Sequence, residues 1–193
     1  MNQEHINFIC KTAFLEIGHL GTVHHYFIND TTETLVTSLV LSHTDYCIFV
    51  FAGLFQSLVG RLQRVQNCAA RLAVCALAHV HLTLILRHLH WLPVRARISS
   101  EIACLCFSAI TSFTLPCPSD LLHLYSRSRY FRSSADTRLL KIPLYKSKTK
   151  GDRVFSYFGP VWNSLPLHIR NATIIDTFKS ALKTYLFNLQ ESD

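Results

Sequence analysis

Between Ser57 and Ala76 the apolar residues Leu58, Leu62, Val65, Ala69, Leu72 and Ala76 recur at alternating steps of four and three. An α-helix, at 3.6 residues per turn, brings such positions onto one face. Arg61, Arg64 and Arg71 keep the same rhythm on a second face, with Cys68 between them. One helix therefore carries a core-facing seam and a cationic stripe. The fold has to bury the first and leave the second open to solvent. Ser57 is the expected cap of this helix.

The neighbouring segments extend the helical pattern. An apolar, His-flecked connection follows and ends at Trp91-Leu92-Pro93. Pro93 suits the first turn of another helix, whose buried side is Val94, Ile98, Ile102, Leu105 and Ala109. Arg95 and Arg97 project elsewhere. Residues 80–86 alternate weakly and read either as a strand or as a helical continuation. Upstream, Asp30 with Glu33 three residues on forms a capping-box pattern. It predicts a helix over 31–50, with Leu35, Leu39, Ser42 and Tyr46 on one face, Val36, Val40 and His43 beside them, and Gly53 at its end. Residues 1–30 show no clear period, and Gly18 and Gly21 read as helix breakers, so this stretch is expected to be an irregular leader.

Downstream, Pro116 and Pro118 punctuate the exit from the third helix, and Ser119 caps a short helix over 120–124. Residues 125–150 interleave Arg127, Arg129, Arg132, Lys146, Lys148 and Lys150 with Tyr125, Tyr130, Phe131 and Tyr145. Such mixing of bases and aromatics suits backbone contact together with base stacking; an exposed basic loop has the same composition. Residues 139–142 and 154–158 look like short strands around a turn at Lys150-Gly151-Asp152. Pro160 opens a short helix that Pro166 stops. Asp176 caps a last helix striped by Ile175, Phe178, Leu182, Leu186 and Leu189, with Lys179 and Lys183 facing out. The expected fold class is mainly α, a helical bundle with a small β-hairpin or irregular basic segment near 139–158 and a C-terminal helix. The expected division is an irregular leader over 1–30, a helical domain over 31–124, and a basic loop or hairpin with a helical tail over 125–193.

Charge sharpens the functional reading. The chain carries a net +7, unevenly spread. Residues 1–60 hold one lysine against five acids, residues 61–100 hold six arginines and no acid, and residues 101–150 hold eight bases against three acids. A positive field in the middle of a chain attracts phosphate backbones or anionic surfaces. A hydrophobic content of 49% argues against disorder, while a charged fraction of only 16% points either to a surface covered by a partner or to a piece of something larger. The seven cysteines are odd in number and mostly sit in apolar helical patterns, as reduced thiols of a cytoplasmic or nuclear protein do. No secretory leader or membrane-spanning run is recognised.

Catalytic signatures are missing from the sequence. Cys104, Cys106, Cys117 and His123 supply metal-ligand types in order, but helical positions two apart diverge by roughly 200°. His79/His81 and His88/His90 would converge only on a strand. There is no nucleophile elbow, phosphate-binding glycine loop or dinucleotide fingerprint. Two-metal nucleotidyl transfer needs converging carboxylates, and the twelve acids are scattered with no adjacent pair. Asp45 before Tyr46 and Cys47 lacks the second carboxylate of a polymerase motif and reads as a surface or hydrogen-bonding residue. No catalytic residue, metal or cofactor is assigned, and no small-molecule substrate is expected.

Eight collinear blocks carry a family resemblance: LVTSLVLSHTDYC (35–47), AGLFQSLVGRLQRVQNCAARL (52–72), LRHLHWLPVRARI (86–98), ACLCF (103–107), SDLLHLY (119–125), RSSADTRLLKIP (132–143), RVFSYFGPVWNSLP (153–166) and TFKSALKTYLF (177–187). Over about 34–187 the chain resembles the C-terminal, thumb and post-palm region of LINE-type, non-LTR retrotransposon reverse transcriptases. The resemblance implies thumb-like helices that grip template and primer. It implies an upstream polymerase core, not part of this match, as both source of the catalytic acids and docking partner. Arg61, Arg64, Arg71, Arg95 and Arg97 match basic positions of the blocks, for which RNA or DNA contact is the implied role. The sequence departs from the pattern at His43-Thr44, at 49–51 and at 114–117, and residues 1–30 do not match a palm. The expectation is an inactive fragment with residual nucleic-acid binding; the alternatives are an interaction module or a translated retroelement remnant without a function.

Overall fold

The computed structural model describes residues 3–46, 48–76, 80–111, 138–142 and 158–189. It is mainly α-helical, as expected, and no strand occurs among the described residues. The chain divides into two compact units, Met1–Arg97 and Ile98–Asp193. The division falls inside the helix that follows Pro93, where the sequence reading placed boundaries near 30 and 124.

The first unit opens with α1 (Gln3–Val23), a helix of 21 residues. This overturns the irregular leader. Ile6, Ile9, Cys10, Ala13 and Leu20 are buried along one face, a three-and-four spacing present in the sequence but diluted by exposed Phe8, Phe14 and Leu15. Gly18 and Gly21 do not break the helix. A methyl group at either would meet nothing within 4 Å; each lowers helix propensity by about 1 kcal/mol, and the buried seam outweighs that.

After a 3-10 turn at His24–Tyr26 comes α2 (Asn29–Leu35), a π-helical stretch (Val36–Leu41), and α3 (Ser42–Asp45). The single helix expected over 31–50 is thus interrupted. Ile28, not Asp30, is the N-cap, with its carbonyl accepting the Thr32 N–H at 3.1 Å. Asp30 sits in the first turn, where its charge complements the helix dipole. The π turn, at i→i+5, advances the register by one residue. The buried line becomes Thr32, Val36, Val40, Leu41 and Thr44. Leu39, Ser42 and Tyr46, expected on the apolar face, face solvent.

Helix α4 (Gln56–Ala73) is the centre of the unit and packs against α1, α2, the π stretch and α5. Leu58, Leu62, Val65 and Ala69 are buried, as their spacing required, together with Val59, Gln66, Ala70 and Ala73, whereas Leu72 and Ala76 of the expected seam are only half-buried and Ala76 lies beyond the helix end. Its N-cap is Phe55 rather than Ser57, and the Phe55 carbonyl accepts the Leu58 N–H at 2.9 Å. Residues 82–88 form α5 (Leu82–His88), which decides between strand and helix. Both α4 and α5 end in Schellman turns. Cys75 and His90 occupy the left-handed position at φ 49° and 54°. The bonds Ala76 N–H to Arg71 O and Trp91 N–H to Leu86 O, at 2.9 and 2.8 Å, close them.

A buried amide network ties the Trp91-Leu92-Pro93 turn to α4. Gln66, 1% exposed, donates through Nε2 to the Leu92 carbonyl at 2.8 Å. Gln63 Nε2 donates to Gln66 Oε1 at 2.9 Å. Gln63 Oε1 accepts the Val94 N–H at 2.9 Å. Val94 begins α6 (Val94–Thr111), so Gln63 satisfies one of the amides that every helix start leaves open.

In the second unit, α6 buries Ile98, Ile102, Ala103, Cys106 and Phe107; the expected Leu105 and Ala109 are only half-buried. Phe107 turns inward because it stacks on Phe178 at 4.5 Å, and Trp162 stacks on Phe178 at 5.8 Å. Burial pushes the Cys106 thiol up to about 12, its Sγ lying 3.9 Å from the Phe158 carbonyl. Phe158 belongs to α7 (Phe158–Asn163) and Pro166 N-caps α8 (Leu167–Arg170), a turn the sequence reading treated as a stop. Residues 138–142 are not a strand. Asn163 holds Leu140 through both backbone groups at 2.9 Å, an amide mimicking a neighbouring strand. The C-terminal helix, α9 (Ile175–Leu189), buries Phe178, Leu182 and Leu186 and exposes Lys179 and Lys183 as expected. Leu189 is exposed, and Asp176 lies in the first turn rather than at the cap. The segments 120–124 and 143–157, including the turn at Gly151, lie outside the described residues.

Candidate nucleic-acid interface

The outer face of α4 follows the line Ser57, Arg61, Arg64, Cys68 and Arg71. Ser57, Arg64 and Cys68 are exposed, and Arg61 and Arg71 are half-exposed. Successive positions are three or four residues apart, so the guanidiniums rise along the helix by about 5 Å per step. The buried seam forces this line outward: with Leu62, Val65 and Ala69 inside, the stripe has no other direction to take.

Arg61, Arg64 and Arg95 meet neutral oxygens. Arg61 donates to the side-chain carbonyl of Asn7 on α1, and Arg64 Nε to the Gly60 carbonyl at 3.4 Å. Arg95, exposed on the first turn of α6, donates to Gln56 Oε1 at the start of α4. Amide and carbonyl acceptors orient a guanidinium without cancelling its charge. Two of the α4 arginines act on Cys10 across the α1 seam: burial raises its thiol pKa, and Arg61 and then Arg64 pull it partway back.

Arg97 behaves differently. It pairs with Asp45 Oδ2, and both side chains are largely covered. Burial lowers the Arg97 pKa and the Asp45 charge opposes that shift. A guanidinium committed to a carboxylate across 52 residues of chain joins α3 to α6. Arg97 therefore leaves the set of candidate phosphate contacts. Asp45 is its hydrogen-bonding partner, one of the two roles the sequence left open for it.

Arg127, Arg129, Arg132, Lys146, Lys148 and Lys150 lie outside the described residues. The structure thus brings Arg61, Arg64, Arg71 and Arg95 onto the first unit. Sequence reasoning missed two exposed rings beside them, Tyr46 at 80% and Phe55 at 78% exposure. Tyr46 had been read onto an apolar helix face, and only the π turn moves it off. Among the described residues no three His, Cys, Asp or Glu side chains gather as a metal site; Cys104 and Cys106 are on α6, and Cys117 and His123 fall outside the description. No described helix is long and apolar enough to cross a membrane. No family model, curated protein or solved structure matches this chain.

Proposed function

We propose that the chain is a catalytically inactive piece of a non-LTR retrotransposon reverse transcriptase that binds the RNA or DNA backbone through its first unit. The observation that carries this reading is the set Arg61, Arg64 and Arg95, held by amide or carbonyl oxygens and therefore still charged toward solvent. Arg71 continues the line on α4. The ordered sequence blocks supply the family origin, and the charge distribution supplies the ligand class. Asp45, the acid nearest to a polymerase-like tripeptide, is paired with Arg97. No acid or base is assigned a catalytic role.

Titration of a labelled oligonucleotide by anisotropy tests this. Three phosphate contacts weaken binding about twentyfold to fortyfold between roughly 50 and 200 mM salt. Absent or salt-independent binding refutes the proposal. A second reading has its own support: Phe8 and Leu15 on the outer side of α1 are 67% and 55% exposed, as in a helix that docks on a polymerase core. Concentration-dependent light scattering that Phe8→Ser abolishes, with no oligonucleotide binding, decides for that docking role.

A further inference from the structure

We infer that Tyr46 and Phe55 form a two-ring platform on which unpaired bases stack, so that the ligand of the first unit is single-stranded nucleic acid. The inference rests on the polyanion reading above and goes beyond it by choosing the ligand class.

Both rings are more than three-quarters exposed. A third exposed tyrosine, Tyr26, differs, because its ring lies against His25 at 4.3 Å. The backbones of Tyr46 and Phe55 are nevertheless fixed. Tyr46 closes α3, with its N–H bonded to the Ser42 carbonyl at 3.0 Å, and Phe55 opens α4, with its carbonyl accepting from Leu58 at 2.9 Å. Buried Thr44, Ile48, Phe51 and Leu58 anchor the chain on either side. A ring on a rigid backbone with an open face costs little entropy when a base covers it.

The first turn of α6 reaches the neighbours of both rings. Arg95 bonds Gln56, the residue after Phe55, and Arg97 bonds Asp45, the residue before Tyr46. The first contact holds an uncancelled guanidinium on the side chain of the residue that follows Phe55. The second ties the residue before Tyr46 to α6. A flat apolar face next to a free cation fits a nucleotide, which pairs a π-surface with an anion. A protein-docking patch is a contiguous apolar area; here exposed Gln56 and Ser57 follow Phe55 in the chain, and exposed Arg95 bonds Gln56. Duplexes present base edges and phosphates, with base faces already stacked inside, so only an unpaired strand offers faces to the rings.

The test compares a labelled single-stranded RNA with an RNA hairpin duplex on the full chain. Tyr46→Ala and Phe55→Ala each weaken single-strand binding about tenfold and change duplex binding by less than about twofold. Phe55→Trp keeps single-strand affinity and Phe55→Leu loses it, which separates stacking from simple burial. Thermal melts and circular dichroism matched to the parent show that the variants fold. Arg64→Gln reduces the salt slope for either ligand by about one phosphate contact. If Arg64→Gln acts but the ring variants leave single-strand affinity untouched, the platform is wrong and the backbone reading stands. If neither ligand binds with salt dependence, both fall. If the ring variants only relieve self-association, the surface is a protein contact and the inference is overturned.

Discussion

Replacing Gln66 by Met tests whether the amide network, rather than apolar packing alone, holds the Trp91-Leu92-Pro93 turn on α4. Met matches Gln closely in length, so no cavity opens. Two hydrogen bonds disappear, one to the Leu92 carbonyl at 2.8 Å and one from Gln63 at 2.9 Å. Each is worth about 1 kcal/mol net, and a buried carbonyl left without a donor costs about 1–3 kcal/mol. Met recovers about 1 kcal/mol through its apolar surface. The net loss is about 2–4 kcal/mol. At about 2–4 °C per kcal/mol for a chain of this size, Tm falls by about 4–16 °C. Thermal unfolding followed by circular dichroism, with Gln63→Met and the double variant completing a cycle, measures it. The double variant should lose less than the two singles together, because they share a bond. A Gln66→Met variant as stable as the parent refutes the claim that this network fixes the turn.

Further outcomes follow from the same geometry. Gly18→Ala, on an open helix surface, raises stability by about 0.5–1 kcal/mol, and His90→Gly, relieving a left-handed residue at φ 54°, by about 1 kcal/mol; both are read as denaturation midpoints. Arg97→Gln lowers stability by about 1–2 kcal/mol, since it strips a half-buried carboxylate of its partner, yet leaves oligonucleotide affinity within about twofold. Arg64→Gln does the reverse, weakening binding without moving the melting curve. Cys106 favours the neutral thiol in the fold: its folded value of about 12 lies above the ordinary 9.0, so its contribution is intact below pH 9 and is lost as pH rises toward 12; thiol labelling accordingly reaches exposed Cys68 in the native protein and Cys106 only after unfolding.

Strong periodicity was legible, and what interrupts periodicity was not. The centres of the α4 seam and the α9 stripe were placed by their spacing, while their ends, Leu72 and Ala76 in the first and Ile175 and Leu189 in the second, are not buried. Helix α1 carries an equally regular seam, but Phe8, Phe14 and Leu15 on its outer side mask it, and two glycines suggested breaks that burial overrides. The π turn at Val36–Leu41 has no local signature; one extra residue per turn moved Leu39 and Tyr46 into solvent. Helix ends were misread for a related reason. Cys75 and His90 take positions that glycine usually marks, and Phe55 and Pro166 cap through backbone carbonyls rather than through a polar side chain. At the candidate interface, helical spacing gave the α4 stripe, while the fate of Arg95 and Arg97 depended on contacts 39 and 52 residues away. No single-sequence pattern distinguishes an arginine that meets an amide from one that meets a carboxylate.

The most direct test of the central claim is the salt dependence of oligonucleotide binding by the parent chain and by the triple variant Arg61→Gln, Arg64→Gln, Arg95→Gln. The parent should show log affinity falling linearly with log salt at a slope of about −2 to −3. The triple variant should lose most of that slope while keeping the parent's melting temperature. An unchanged slope in a folded triple variant contradicts the account, because the phosphate contacts then lie elsewhere.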